Sequence, residues 1–133
     1  KNMRINKVTF TDKTINQYSV IIDVRTPLEF KEDHIPGSLN YPVLTNKQRH
    51  EIGIKYKENS FLAKKIGAQL ISNNIAKILG KIKFDKNSNI LIYCWRGGLR
   101  SLSLYLVLKQ IGYDSHLLDG GYKSYRKNVV KYL

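Results

Sequence analysis

Asn89-Ile90-Leu91-Ile92-Tyr93-Cys94-Trp95-Arg96-Gly97-Gly98-Leu99-Arg100-Ser101 runs through three kinds of sequence in one short stretch. Asn89 to Tyr93 is an apolar, β-branched run, the pattern of a strand buried on both sides. Cys94 stands at its end, and two glycines follow. From Arg100 to Ile111 the spacing turns helical, with Leu104, Leu108 and Ile111 on one side and Gly112 as the stop. The same strand–turn–helix grammar recurs upstream. Ser19 to Val24 reads as a buried strand, Arg25-Thr26-Pro27 breaks it, and Pro27 suits the first turn of a short helix over Leu28 to Asp33. His34 to Gly37 is a turn, and Asn40 to Val43 a short strand. Thr45 to Asn59 has only a weak helical pattern, whereas Phe61 to Leu79 has a strong one that Gly80 is expected to end. Ser115 to Leu118 is a strand, Asp119-Gly120-Gly121 a turn, and Tyr122 to Leu133 a final basic helix. Strands that alternate with helices predict an α/β fold: a central parallel sheet with helices on both faces. Ligands in such sheets bind beyond the carboxyl ends of the strands, where Cys94 lies.

The chain has 133 residues, and residues 1–133 are expected to form one domain. Hydrophobic residues make up 42%, which excludes a disordered chain. No apolar run approaches the ~18 residues of a membrane span, and Lys1-Asn2-Met3-Arg4 does not open a signal-peptide pattern. A single cysteine excludes an intrachain disulfide and a multi-cysteine zinc site, and fits a reducing, cytoplasmic setting. The net charge of +13 points to a polyanion such as nucleic acid. Composition alone offers a second source for that charge. Of the 23 basic residues 17 are Lys, in a chain rich in Ile and Asn, and there is no compact basic run.

The Cys94 loop carries the sharpest chemistry. Gly97 and Gly98 permit backbone angles that other residues avoid, so successive N–H groups can turn inward around an anion. The helix that follows adds its N-terminal partial charge, and Arg96 and Arg100 add two cations. These effects favour a thiolate at Cys94, the nucleophilic form of the side chain. A lone cysteine elsewhere would read as a small buried residue; the glycine pair and the two arginines set this one apart. No metal site is expected, because His34 has no second ligand at suitable spacing and more simply makes a turn hydrogen bond. His50 and His116 carry no signal.

The chain resembles the rhodanese superfamily. Asp23-Val24-Arg25-Thr26-Pro27-Leu28-Glu29-Phe30, followed by His34-Ile35-Pro36-Gly37-Ser38-Leu39-Asn40, is similar to its first signature. Cys94 and its loop match the active site, and Leu118-Asp119-Gly120-Gly121-Tyr122 the closing glycine turn. The common single-domain rhodanese loop has Arg five residues after Cys; here Arg100 is six residues on, a Cys-x5-Arg spacing. The string Cys-Trp-Arg-Gly-Gly-x-Arg-Ser resembles the rhodanese part of the tRNA 2-selenouridine synthase family. So does Asn40-Tyr41-Pro42-Val43-Leu44-Thr45-Asn46, with Gln48-Arg49 and Ile52-Gly53-Ile54-x-Tyr56-Lys57 after it. Asp33 stands where the family has Gly before the His. No Gly-x4-Gly-Lys-Ser/Thr occurs, so the family's C-terminal P-loop domain is expected outside this chain, in cis or as a separate polypeptide.

The resemblance implies replacement of sulfur by selenium in wobble 2-thiouridine of tRNA. Selenophosphate would be the donor, and some members geranylate the thiouridine sulfur. It implies that Cys94 is the essential thiol, acting as nucleophile or chalcogen carrier, with no bound cofactor. Trp95, Arg96, Gly97, Gly98, Leu99 and Arg100 would bind the anion or substrate. Asp23, Arg25 and Glu29 would support the site, as an ion-pair network bracing the loop rather than as substrate ligands. Trp95 reads either as a stacking platform for a base or as a packed loop anchor. Arg49, Lys55, Tyr56 and Lys57, and Tyr122, Lys123, Tyr125, Arg126 and Lys127, are two basic, aromatic stretches that would face tRNA or else lie as solvated helix faces. Three other functions stay open. Cys-x5-Arg is also the spacing of cysteine-dependent phosphatases, including dual-specificity phosphatases on the rhodanese fold, although Tyr93 stands where those usually have His. The others are a generic thiosulfate sulfurtransferase and a non-catalytic binding module.

Overall fold

Along the central strand, Ile90 and Ile92 point to one layer of helices and Leu91 and Tyr93 to another. The computed structural model describes residues 4–11 and 15–131. The strands are β1 (Lys7–Val8), β2 (Val20–Asp23), β3 (Leu39–Asn40), β4 (Asn89–Tyr93) and β5 (Asp114–Leu118). They form one sheet in the order β1-β5-β4-β2-β3, and every pairing is parallel. The helices are α1 (Pro27–Glu32), α2 (Asn46–Glu58), α3 (Ser60–Lys81), α4 (Leu99–Ile111) and α5 (Gly121–Lys131). Ile22, Ile90, Ile92 and Leu117 pack against Ile71, Ile75 and Ile78 of α3 and Leu104 and Leu108 of α4. On the opposite face Ile21, Leu91, Tyr93 and Leu118 meet Ile35 and Tyr122. Both faces of the sheet are therefore covered, as the alternation of elements predicts.

Several boundaries differ from the sequence reading, each for a local reason. β3 is Leu39–Asn40 rather than Asn40 to Val43. Pairing hydrogen bonds continue from the Tyr41 N–H to Asp23 O and the Val43 N–H to Val24 O, but Pro42 between them has no N–H to give. Gly80 does not end α3, which runs to Lys81. It lacks the positive φ of a terminating glycine, unlike Gly112 at the end of α4, with φ +119°. α2 is a regular helix despite its weak pattern and has no fully buried residue. A reciprocal cap starts it: the Thr45 hydroxyl accepts from the Gln48 N–H, and the Gln48 side chain accepts from the Thr45 N–H. α2 then lies close on α3, where a Cβ added at Gly67 would be in van der Waals contact with Ile52. The final helix is described to Lys131; the expected Tyr132 and Leu133, like Lys1 to Met3, lie outside the described residues. Among the described residues no helix is long and apolar enough to cross a membrane.

The register places the chemistry. Asp23 lies beside Tyr93 at the carboxyl ends of β2 and β4, so Cys94, Arg25 and the start of α1 emerge at one edge of the sheet.

Candidate active site

Cys94 leaves β4 with 2% of its surface exposed. The Gly98 N–H donates to its Sγ at 3.2 Å, and the Ser101 Oγ lies 3.0 Å from the same sulfur. Two hydrogen-bonding groups thus meet one sulfur, one from the loop and one from the first turn of α4. Gly97 takes φ +78°, the left-handed conformation that turns the loop. Gly98 does not share that role. It is the N-cap of α4 at φ −89°, and a Cβ added to it would meet nothing within 4 Å.

The glycine that shapes the loop from outside is Gly121, at φ +61°. A Cβ there would sit 2.5 Å from Cys94 O, 2.8 Å from Gly97 N and 2.8 Å from the Trp95 carbonyl carbon. This close approach lets α5 grip the loop: the Tyr122 N–H donates to Cys94 O at 2.7 Å and the Lys123 N–H to Trp95 O at 2.9 Å. A trans peptide unit points its N–H opposite to its C=O. Carbonyls tied down to α5 therefore aim the Trp95 and Arg96 N–H groups the other way, into the loop. Among the described residues no carbonyl accepts from the N–H groups of Trp95, Arg96 and Gly97, or from Leu99 and Arg100 in the first turn of α4. Unpaired N–H groups in a loop at a helix N-terminus can cradle an anion.

The cations are placed differently from each other. Arg100 donates to Glu29 at 2.8 and 3.4 Å, so its charge is met by a carboxylate and is not free beside the sulfur. Arg49 approaches the same carboxylate at 3.6 Å. Burial alone would push the Glu29 carboxyl up; the Arg100 hydrogen bond and charge, the Thr26 N–H and the Arg49 charge outweigh it and hold the group at about 2. Glu29 thus joins α1, α2 and α4 across the loop mouth. Arg96 is exposed and makes no ion pair among the described residues. Leu99, 66% exposed at the start of α4, borders an apolar groove of about 450 Å³ against α2 and α3.

Asp23 and Arg25 are a buried pair at 2.8 Å, joined through both carboxylate oxygens. Arg25 also donates to Asp33 O at 2.6 Å, and its guanidinium lies 4.2 Å from the centre of the Tyr122 ring. Burial alone would lower the guanidinium pKa; Asp23 outweighs that and holds it above its ordinary value. Arg25 is therefore committed to the frame under the loop, and so is Tyr122, buried below it. Burial and then the Asp33 carboxylate push the Tyr122 phenol far above its usual range. Tyr122 does not face solvent with Lys123, Arg126 and Lys127, as a tRNA-facing surface would require. Tyr125 is half-buried against Phe10. The His34 Nδ1–H donates to Phe30 O at 2.7 Å, and the imidazole stacks on the Phe30 ring.

Three residues at the site escaped the sequence reading of roles. Ser101 was visible only as the third residue of the helix after the glycines. Gly121 and Tyr122 act across more than twenty-five residues of chain, which local pattern does not reveal. Trp95 borders two clefts that Cys94 itself does not line.

The sequence pattern of the family described as "Rhodanese-like domain" matches residues 9–128. The tRNA 2-selenouridine synthase of Psychromonas ingrahamii is 36% identical over 113 residues, covering 83% of this chain and 31% of that enzyme. The enzyme of the same name from Shewanella pealeana is 33% identical over 136 residues, 97% of this chain and 37% of that enzyme. The chain therefore spans about a third of the length of these curated relatives. Among solved structures, the N-terminal domain of a Clostridium difficile 630 protein named for ATP or GTP binding superposes with a TM-score of 0.81 at 36% identity, covering 96% of this chain and 99% of that domain. A rhodanese-related protein from Thermoplasma volcanium, 18% identical, superposes at 0.57 over 92% of both chains and shares the fold.

Proposed function

Because the chain belongs to the rhodanese-like domain family, we propose that it is the chalcogen-handling domain of a tRNA 2-selenouridine synthase, with Cys94 as the nucleophile that carries the transferred atom. The observation that carries this reading is the environment of the sulfur: one thiol, met by the Gly98 N–H and the Ser101 hydroxyl, beside N–H groups that no carbonyl satisfies. Such a cradle suits a terminal sulfur or selenium anion on Cys94, or the oxyanion of a donor. With a sulfane donor such as thiosulfate, the Cys94 thiolate attacks the outer sulfur, the donor S–S bond breaks, and sulfite leaves with the bonding pair. A persulfide remains on Cys94. Selenophosphate would be the selenium donor in the synthase, and 2-thiouridine of tRNA the acceptor, in a cytoplasmic setting. The names of the relatives and the +13 charge support the RNA partner. The relatives are about three times longer, which supports a further domain, such as a P-loop domain, working with this one.

The phosphatase alternative has less support. The guanidinium of the Cys-x5-Arg arginine is engaged by Glu29, so its charge is not held in reserve for a tetrahedral phosphate. The test is a chimera in which this chain replaces the matching third of the Shewanella pealeana enzyme. Bulk tRNA is digested, and its 2-thiouridine and 2-selenouridine are measured by mass spectrometry. Conversion by the chimera and none by its Cys94→Ala form supports the proposal; undiminished conversion by Cys94→Ala refutes the role of the thiol.

A further inference from the structure

Trp95 follows the reactive cysteine directly and forms a wall shared by two clefts of about 330 and 230 Å³. These volumes sit at or below the small end of the range usual for whole small-molecule ligands, about 300–1,000 Å³. The space suits one ring rather than an extended molecule. The indole is backed by Tyr122, with ring centres 6.0 Å apart, and Tyr122 is backed by Tyr125 at 5.6 Å. The platform is therefore fixed from behind while Trp95 stays only half-buried. Around it the lining is polar. Glu32 borders both clefts, is exposed, and makes no hydrogen bond or ion pair among the described residues. Arg126 borders one cleft and Arg49 the other. Trp95 supplies an aromatic surface with open space beside it, edged by a free acceptor and by guanidinium donors. An aliphatic ligand would use none of these groups. A planar heterocycle with an imide N–H flanked by acceptors would use all of them, and its adjoining phosphates would meet the arginines.

We propose that Trp95 is the stacking platform for the pyrimidine base of the RNA substrate, with Glu32 accepting the base's imide N–H. This rests on the reading of the chain as an RNA-modifying domain and adds to it a base subsite with its binding residues. Successive Cα atoms are about 3.8 Å apart, so a base on Trp95 is held one residue from Cys94. Stacking on an aromatic side chain tolerates any base; Glu32 adds an acceptor for a base N–H at the edge of the platform.

Trp95 is the only tryptophan, so fluorescence excited on the red edge, beyond tyrosine absorption, reports this subsite alone. The probes are an end-labelled anticodon stem-loop RNA with 2-thiouridine at the wobble position and the same RNA with an abasic site there. Anisotropy of the label measures binding, independently of the quenching of Trp95. Both RNAs should bind, and only the base-containing one should quench. Trp95→Ala should weaken binding of the base-containing RNA about tenfold or more and leave the abasic RNA unchanged; Trp95→Phe should retain most of the difference. Glu32→Gln, at an exposed position, should weaken the base-containing RNA alone. Equal quenching by the abasic RNA, or an unchanged preference for the base in Trp95→Ala, overturns the subsite while leaving the RNA reading intact. Absence of binding by either RNA overturns both.

Discussion

Gly121→Ala tests the grip of α5 on the Cys94 loop. The substitution adds one methyl group at φ +61°, where an L side chain costs about 1–2 kcal/mol. That methyl would lie 2.5 Å from Cys94 O and 2.8 Å from Gly97 N, both backbone atoms that no rotamer change can move aside. Overpacking of this kind costs about 1–3 kcal/mol more, so the variant should lose about 3 kcal/mol and melt about 10 °C lower. The matched control is Gly98→Ala. Its φ is −89° and the new methyl meets nothing within 4 Å, so only the modest N-cap preference for Gly is lost, about 1 kcal/mol or less. Urea unfolding gives both values. Amide hydrogen exchange gives the mechanism: Tyr122 and Lys123, which donate to Cys94 O and Trp95 O, should lose protection in Gly121→Ala and keep it in Gly98→Ala. Equal stabilities for the two variants, or unchanged Tyr122 and Lys123 protection in Gly121→Ala, would refute the reasoning.

Two further outcomes follow from the ion pairs. Asp23→Asn leaves the Arg25 guanidinium buried without its counter-charge and should cost about 3 kcal/mol or more in urea unfolding; replacing Asp23 by Leu and Arg25 by Met together should cost less than Asp23→Asn alone. Glu29 has a folded pKa of about 2, below its unfolded value of about 4.3. Its contribution is therefore complete above about pH 4.3 and disappears as the pH falls through about 2. The full shift corresponds to about 3 kcal/mol, which solvent around the half-exposed Arg49 reduces to about 1–2. Glu29→Gln should be less stable by that amount at pH 7, and the gap measured by chemical denaturation should narrow between pH 5 and pH 2. A constant gap across that window would exclude the Glu29–Arg100 pair as its source.

Much of this architecture is local enough to be read from the chain. Ile90 to Tyr93 is apolar on both sides because both faces of its strand are covered, and Cys94 follows at the ligand-binding edge for the same topological reason. What local pattern misreads is of two kinds. α2 lacks a buried apolar stripe, so periodicity is weak there, yet its cap signal Thr45-x-x-Gln48 stands in the sequence. The second kind is long-range. Gly97-Gly98 invites a joint conformational role, but only Gly97 has the left-handed backbone, and the glycine that fits closely against it, Gly121, comes from the turn after the neighbouring strand β5. Likewise Arg100 looks like a cation for the thiolate until Glu29, seventy-one positions away, is seen to hold it. Where the sequence reading expects one network of Asp23, Arg25 and Glu29, the structure pairs Asp23 with Arg25 and Glu29 with Arg100 and Arg49.

The central claim is that Cys94 accepts a chalcogen atom in this loop. The direct measurement is intact-protein mass spectrometry of the chain, as wild type and as Cys94→Ala, after incubation with thiosulfate and without reductant. The account predicts one added sulfur atom on the wild-type chain, mapped to Cys94 by peptide analysis and absent from Cys94→Ala. An unmodified Cys94, in a chain shown to be folded, would contradict it.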